Sequence, residues 1–236
     1  MSNALDEILI NLQEIERMNQ LIVQQDLIVT IRKLQTWQTN RLLATHDDLW
    51  NSKRFRAPMQ FFADEIYGPK DFSARDIELA RAVPKMAKVL PEKGMQSLQT
   101  AIRLNALSLQ LDLALATKIG DNVICRNSYF DCYRQSGSRH QREEQIELLE
   151  TLSFDLPKVV NTPGISLILR LSRKPAKIAG VETLHAFLEN GFNSFKKVGD
   201  VNDFINPVIN REKEMLEALF SACDQSENPL PEVDSE

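Results

Sequence analysis

The sequence predicts an all-α protein, an irregular bundle of about eight to ten helices without a sheet. Apolar residues recur every three or four positions along most of the 236 residues, which is the spacing of one helix face. No segment combines the apolar–polar alternation of a strand with enrichment in β-branched residues. Only eight glycines occur, a low number for a fold built from tight turns and bulges.

The first half of the chain divides into helices at its prolines and glycines. Residues 2–52 contain neither type, so we predict one long helix or two successive helices with a joint at Asn19-Gln20. This region carries an apolar stripe made of Leu5, Ile8, Leu12, Ile15 and Ile22. A short helix with Pro58 in its first turn is predicted next and ends at Gly68-Pro69. The boundaries of the helices after it are marked by Ser73, Pro84, Pro91 and Gly120. Pro84 should kink or break the helix that Ser73 begins.

The second half continues the same pattern. Further helices are predicted over residues 128–137, 138–156, 165–179, 182–197 and 202–222. We therefore predict one helical domain over residues 1–222, in which residues 1–26 form an N-terminal helix for internal packing or dimerisation.

The last residues, 223–236, form an acidic end. They contain five acids, two prolines and neither Lys nor Arg, so we predict a disordered tail. The net charge is −5, and without those five acids the rest of the chain carries no net charge. Because it lacks a basic field, the protein is not expected to bind nucleic acid.

Cysteine usage and hydropathy predict a cytoplasmic protein. The three cysteines cannot all pair and none forms a C-x-x-C motif, which is typical of a reducing compartment. The N-terminus is acidic and amphipathic, unlike a secretory signal. No stretch approaches the roughly 18–20 apolar residues of a membrane span.

Common catalytic and metal-binding signatures are absent from the sequence. The Gly-rich nucleotide loops, the G-x-S-x-G elbow and the H-E-x-x-H motif do not occur. Glu182 and His185 have the i, i+3 spacing of carboxylate-bridged metal sites, but such sites need two copies and the sequence has one. We therefore predict neither a metal site nor a cofactor.

The densest group of polar residues lies between positions 41 and 76. Its candidate site residues are Arg41, Thr45, His46, Asp48, Arg54, Asp64, Glu65, Tyr67, Asp71 and Arg75. Aromatic residues lie between the charged ones. Such a set forms either a buried ion-pair network that fixes helix register or a polar pocket with apolar walls. The sequence leaves both interpretations open.

The predicted helix 165–179 has one basic face. Arg170, Arg173, Lys174 and Lys177 project within about 100° of one another, and no acid occurs between residues 163 and 180. Such a face can bind anionic lipid or a phosphate or carboxylate ligand, or it can be the solvated side of a packed helix. Because Pro175 should disrupt this helix, we do not expect membrane contact.

A short motif in the polar segment resembles the signature of the FFLEELY-motif proteins, a bacterial family. The motif reads Phe61-Phe62-Ala63-Asp64-Glu65-Ile66-Tyr67, and four of its seven positions are identical to the signature. The flanking residues 41–49 and 68–72 are also similar, although His46 stands where an aromatic residue is more usual. The resemblance extends over residues 27–220 and implies an all-helical fold, with no activity or catalytic residue to carry over.

These observations support three functional hypotheses. The first is a non-catalytic binding or regulatory protein that uses its helical surface, as a homodimer through the N-terminal stripe or with another protein. The second is an enzyme or cofactor carrier with a pocket lined by the polar residues of 41–76. The third is a peripheral protein that binds anionic lipid through helix 165–179.

Overall fold

The structure is a computed structural model that describes residues 2–68, 73–86, 92–136 and 139–233. Most of these residues are helical and none forms a strand, so the predicted all-α class is confirmed. The α-helices are α1 (Ser2–Gln24), α2 (Ile28–Thr45), α3 (Asp47–Asn51), α4 (Arg56–Phe61), α5 (Ser73–Met86), α6 (Glu92–Ile119), α7 (Arg126–Ser136), α8 (Arg139–Phe154), α9 (Leu156–Asn161), α10 (Ile165–Ala179), α11 (Glu182–Phe195) and α12 (Asn202–Ser221). A π-helix, Phe62–Tyr67, continues α4, and a 3₁₀-helix, Gln225–Glu227, follows α12.

The long helices begin and end close to the predicted positions, and the differences have local causes. The joint between α1 and α2 lies at residues 25–27, where Asp26 adopts a left-handed φ of 55° that its short polar side chain tolerates. α5 continues through Pro84 and α10 continues through Pro175. α4 and the π-helix that continues it occupy the short helix predicted before Gly68-Pro69, whereas two short helices, α3 and α9, divide the chain more finely than periodicity alone indicated.

The N-terminal stripe packs inside the molecule. α1 lies along α6, and Ile8, Ile15 and Ile22 are at most 7% exposed. Leu79 and Val83 of α5 belong to the same apolar cluster as Ile8 and Ile15. The stripe is therefore part of the core. It does not provide the exposed surface through which the homodimer was predicted to form.

The central helix is α6, which has 28 residues. Its first half packs in a cluster with α1 and α5 through Met95 and Ile102, and its second half packs with α2, α7 and α12 through Leu115 and Ile119. Another cluster joins α2, α4, α11 and α12 around Phe204, which is fully buried. Between α2 and α8, α6 presents polar side chains: Asp112 accepts from Gln35 of α2 and Ser108 accepts from Gln145 of α8.

The aromatic pair that begins the heptapeptide motif anchors α4 to two other helices. The Phe61 ring packs on Gly191 of α11, where a Cβ atom would lie 3.0 Å from the ring. The Phe62 ring makes edge contacts with Phe195 and Phe204, at centroid distances of 6.3 and 5.4 Å. Both aromatic residues of this pair therefore serve packing.

Gly68 ends the π-helix at a point of close backbone approach. A Cβ atom at Gly68 would lie 2.6 Å from the carbonyl oxygen of Ala63. We expect Gly68→Ala to lower the free energy of unfolding by about 1–3 kcal/mol, because the clash is with backbone and cannot be relieved by a rotamer change. Urea denaturation measures this loss. Since the contact atom is a main-chain oxygen, Ala63→Gly should not rescue the variant, and a Gly68→Ala protein as stable as wild type would contradict this account.

Residues 223–233 pack against the protein, whereas the sequence predicted a disordered tail there. Leu230 is 3% exposed and packs in the cluster that contains Tyr129. Arg126 Nε donates to the Leu230 carbonyl at 2.6 Å, and Asn228 Nδ2 donates to the Arg126 carbonyl at 3.2 Å. One buried leucine and reciprocal bonds to α7 hold a segment whose composition alone predicts disorder. Residues 234–236 of the predicted tail lie outside the described part.

Within the residues that the structure describes, every helix is too short or too polar to cross a membrane.

Candidate functional site

A cavity of about 400 Å³ lies between α1, α2, α6, α7, α8 and α12. Its volume falls within the range of about 300–1,000 Å³ that is usual for small-molecule sites. Buried apolar residues that line it are Ile22, Ile31, Leu149, Leu216, Leu219 and Leu230. Val23, Ile28 and Arg32 also line the cavity and are exposed, so its opening lies at the junction of α1 and α2.

Two polar clusters border the cavity, and the first is centred on Glu212. Arg41 Nη1 donates to Glu212 Oε1 at 2.6 Å, and His46 Nε2 lies 3.2 Å from the same oxygen. Arg211 Nη1 lies 3.5 Å from His46 Nδ1. Because the Glu212 carboxylate only accepts, Nε2 is the nitrogen that donates to it. The cluster is nearly closed to solvent, with Glu212 11% exposed and His46 fully buried.

The charge of Glu212 is stabilised by this cluster. Burial acts to raise the pKa of Glu212, but the Arg41 charge and the hydrogen bonds from His46 and Arg41 outweigh burial and lower the pKa to about 2. Glu212 is therefore ionised, and its charge is matched by the guanidinium of Arg41.

The second polar cluster is centred on Asp112 of α6. Gln35 Nε2 and Gln38 Nε2 of α2 each donate to one Asp112 carboxylate oxygen at 3.2 Å. Burial raises the pKa of Asp112, and the charge of Arg142 with the two amide hydrogen bonds offsets only part of that effect. The ionised form of Asp112 is therefore disfavoured relative to an exposed carboxyl group.

Arg142 of α8 lines the same cavity and is only 4% exposed. Its guanidinium stacks on the Tyr133 ring at 4.3 Å, and Nη1 lies 3.5 Å from Gln145 Oε1. Among the described residues, nothing accepts a hydrogen bond from Arg142 Nε or Nη2. A buried guanidinium with two nitrogen atoms unpartnered is costly to the fold, since desolvated donors are normally satisfied.

The residues predicted from 41–76 do not converge on one site. Arg41 lines the cavity. Asp48 is exposed and accepts two hydrogen bonds from Arg211, at 2.6 and 2.8 Å, and the hydrogen bond and charge of Arg211 lower the pKa of Asp48 to about 2. Arg54 donates to the Val198 carbonyl at 2.7 Å and so ties the loop before α4 to the loop before α12.

The other predicted residues of this segment lie away from the cavity lining or outside the description. Thr45 donates its hydroxyl to the Arg41 carbonyl at 2.9 Å. Asp64 is exposed and Glu65 is half-buried. The side chains of Tyr67 and Arg75, and the whole of Asp71, lie outside the described residues.

The cavity residues that the sequence analysis missed lie far from 41–76 in the chain. Asp112, Arg142 and Glu212 each occupy an apolar stripe: Leu115 lies three positions after Asp112, Leu149 seven after Arg142, and Leu216 four after Glu212. A charged residue in register with buried leucines was the available signal, because such a residue must face the interior.

The predicted basic face on α10 is at the surface, where Arg170 and Lys174 are exposed. Arg173 pairs with Glu189 of α11 at 2.7 and 2.5 Å, and Lys177 lies 3.9 Å from Glu182.

His185 has a packing role. Its Nε2 lies 2.9 Å from both the Leu169 carbonyl and Ser172 Oγ, which joins α11 to α10. No group of three or more potential metal ligands occurs among the described residues.

Comparison with known proteins places the chain in a family without assigning it an activity. No curated protein and no solved structure matches it. A family described as "Domain of unknown function (DUF8198)" matches residues 18–226, which include the whole cavity lining except Leu230. Because this match spans most of the 236 residues, the chain belongs to the DUF8198 family.

Proposed function

We propose that this protein binds a small organic anion with an apolar body in the central cavity. The observation that carries the proposal is Arg142, a buried arginine in the cavity wall with two nitrogen atoms unpartnered. A carboxylate or phosphate accepts hydrogen bonds from adjacent guanidinium nitrogens in the planar geometry that these two donors present. An anionic head group would therefore satisfy donors for which the protein itself provides no acceptor.

The charges of the cavity support an anion in preference to a cation. Glu212 is matched by Arg41, so this pair presents little net charge to a ligand. Burial raises the pKa of Asp112, which opposes a negative charge beside Arg142, and no described carboxylate accepts a hydrogen bond from Arg142 Nε or Nη2. In a low-dielectric cavity the charge of a buried arginine is a strong attraction for an anion.

The apolar lining supports a ligand with a hydrocarbon or aromatic body. Ile22, Ile31, Leu216 and Leu219 line the cavity together with the exposed pair Val23 and Ile28 at its opening. Burying apolar surface contributes about 25 cal/mol per Å², so the body of the ligand would add affinity while the head group fixes its orientation.

Binding is a better account of this cavity than catalysis. Among the described residues that line it, none is His, Cys or Lys, the side chains that most often act as base or nucleophile at neutral pH. Ser108 lines the cavity, but its hydroxyl accepts from Gln145 Nε2 at 2.8 Å, and it has no neighbouring histidine in the lining to activate it.

The test compares octanoate with 1-octanol, which share a chain and differ in the charge of the head group. We expect octanoate to raise the melting temperature and to bind in calorimetry at least about 10-fold more tightly than 1-octanol, since a hydrogen bond to a charged group contributes about 1.5–3 kcal/mol. Arg142→Met should remove this preference while folding normally. Arg139→Met, at the exposed start of the same helix, is the matched control and should bind like wild type.

Equal affinity for octanoate and 1-octanol, or an Arg142→Met protein that keeps the preference for the anion, would overturn the proposal. Because two nitrogen atoms of Arg142 have no partner in the protein, replacing Arg142 by Met should leave the unfolding free energy unchanged or raised. A large destabilisation by Arg142→Met, with no anion bound by wild type, would instead identify a structural arginine.

A further inference from the structure

α10 is packed on one side only. Its main partner is α11, and Ala176 is its one residue among those described that is buried. Four large aliphatic side chains on α10 are exposed: Leu167 at 49%, Ile168 at 59%, Leu171 at 65% and Ile178 at 88%. Exposed apolar residues are ordinary when scattered, but a set aligned on one helix is the usual mark of an interaction surface.

The exposed residues of α10 form two adjacent stripes. At about 100° per residue, Leu167, Ile168, Leu171 and Ile178 fall within about 100° of the helix circumference. Arg170, Lys174 and Lys177 fall within about 60° beside them. α10 contains no acidic residue, so the outward half of the helix is aliphatic along one stripe and cationic along the other.

Pro175 does not interrupt this surface. α10 runs without a break from Ile165 to Ala179, and Pro175 lies between Leu171 and Ile178 on the exposed apolar stripe. From the sequence we did not expect membrane contact, because Pro175 should disrupt this helix. The helix is continuous at Pro175, so that objection does not apply.

We propose that α10 is an interfacial helix that docks this protein on an anionic lipid bilayer. An amphipathic helix whose polar side is rich in Lys and Arg lies in the plane of the membrane, with aliphatic residues among the acyl chains and cations at the lipid phosphates. An antiparallel two-fold contact with a second copy fits less well, because it would bring the two cationic stripes side by side. The proposal uses no residue of the central cavity and stands independently of its ligand.

The probe is a vesicle of phosphatidylcholine with an equal amount of phosphatidylglycerol, compared with phosphatidylcholine alone in a flotation gradient. We expect wild type to float with the anionic vesicles at about 50 mM NaCl and to be released at about 500 mM NaCl, where the Debye length is shorter. Lys174→Glu should lower the partition coefficient by at least about five-fold, since each basic residue near the surface contributes about that factor.

Matched variants distinguish binding through this surface of α10 from nonspecific adsorption to the vesicles. Leu171→Asp places a charge in the apolar stripe and should abolish flotation, whereas Val123→Asp, at a side chain that is 66% exposed elsewhere, should bind like wild type. Circular dichroism of both variants checks that the helical content is retained. If wild type stays with the unbound fraction at low salt, or if Leu171→Asp floats like wild type, α10 is not a membrane-docking helix.

Discussion

Replacing Glu212 by Gln should lower the free energy of unfolding by at least about 3 kcal/mol. The reason is that removing the carboxylate leaves the charge of Arg41 buried without a counter-ion. Glu212 accepts hydrogen bonds from both Arg41 and His46 through one oxygen, at 2.6 and 3.2 Å. The amide that Glu212→Gln introduces can still accept from one of them, so the loss comes from the missing charge. Urea denaturation at about neutral pH measures it.

Two further variants show that burial and pairing cause this loss. Glu217→Gln, on the same helix, removes an exposed partner of Arg139 and should cost at most about 1 kcal/mol. Arg41→Met combined with Glu212→Gln removes the uncompensated charge, so the double variant should be more stable than Glu212→Gln alone. Additive effects of the two substitutions would contradict a coupled pair.

Most of the helices could be predicted because residues at their ends mark where they begin and stop. Gly120 and Gly180 follow helix ends in left-handed conformations, with φ of 57° and 71°, which is the role that glycine plays after a C-terminus. α10 occupies the predicted residues 165–179 without change. The short α9 was not predicted as a separate helix, although Pro157 lies in its first turn, because it is separated from α8 by Asp155 alone and its apolar residues continue the same pattern.

The cavity could not be predicted, because it depends on which helices meet. Arg41 was expected to interact within residues 41–76, whereas its partner Glu212 is 171 positions away. Periodicity shows which face of a helix is buried, but not which face of another helix it touches. The same limit applies to Leu230, whose burial against α7 depends on bonds to Arg126 that no local pattern reveals.

The Glu212 cluster also predicts how stability changes in acid. The pKa of Glu212 is about 2 in the folded protein against an ordinary value of 4.5. Between these two values the unfolded chain binds more protons than the folded one, so stability falls as the pH falls. The stabilisation is complete above about pH 4.5 and is lost through about pH 2, and at about 1.36 kcal/mol per pKa unit it amounts to about 3 kcal/mol.

Comparing wild type with Glu212→Gln at each pH isolates this contribution, and their stabilities should converge as the pH falls from about 4.5 toward 2. Asp112 acts in the opposite direction, since its pKa is raised by burial and protonation then favours the folded state, but it is present in both proteins and cancels from the difference. Asp48 also titrates at about pH 2, yet its side chain is 60% exposed, so Asp48→Asn should change the acid profile much less than Glu212→Gln. A stability difference that stays constant from about pH 7 to about pH 2.5 would mean that Glu212 keeps an ordinary pKa and that Arg41 and His46 do not hold its charge.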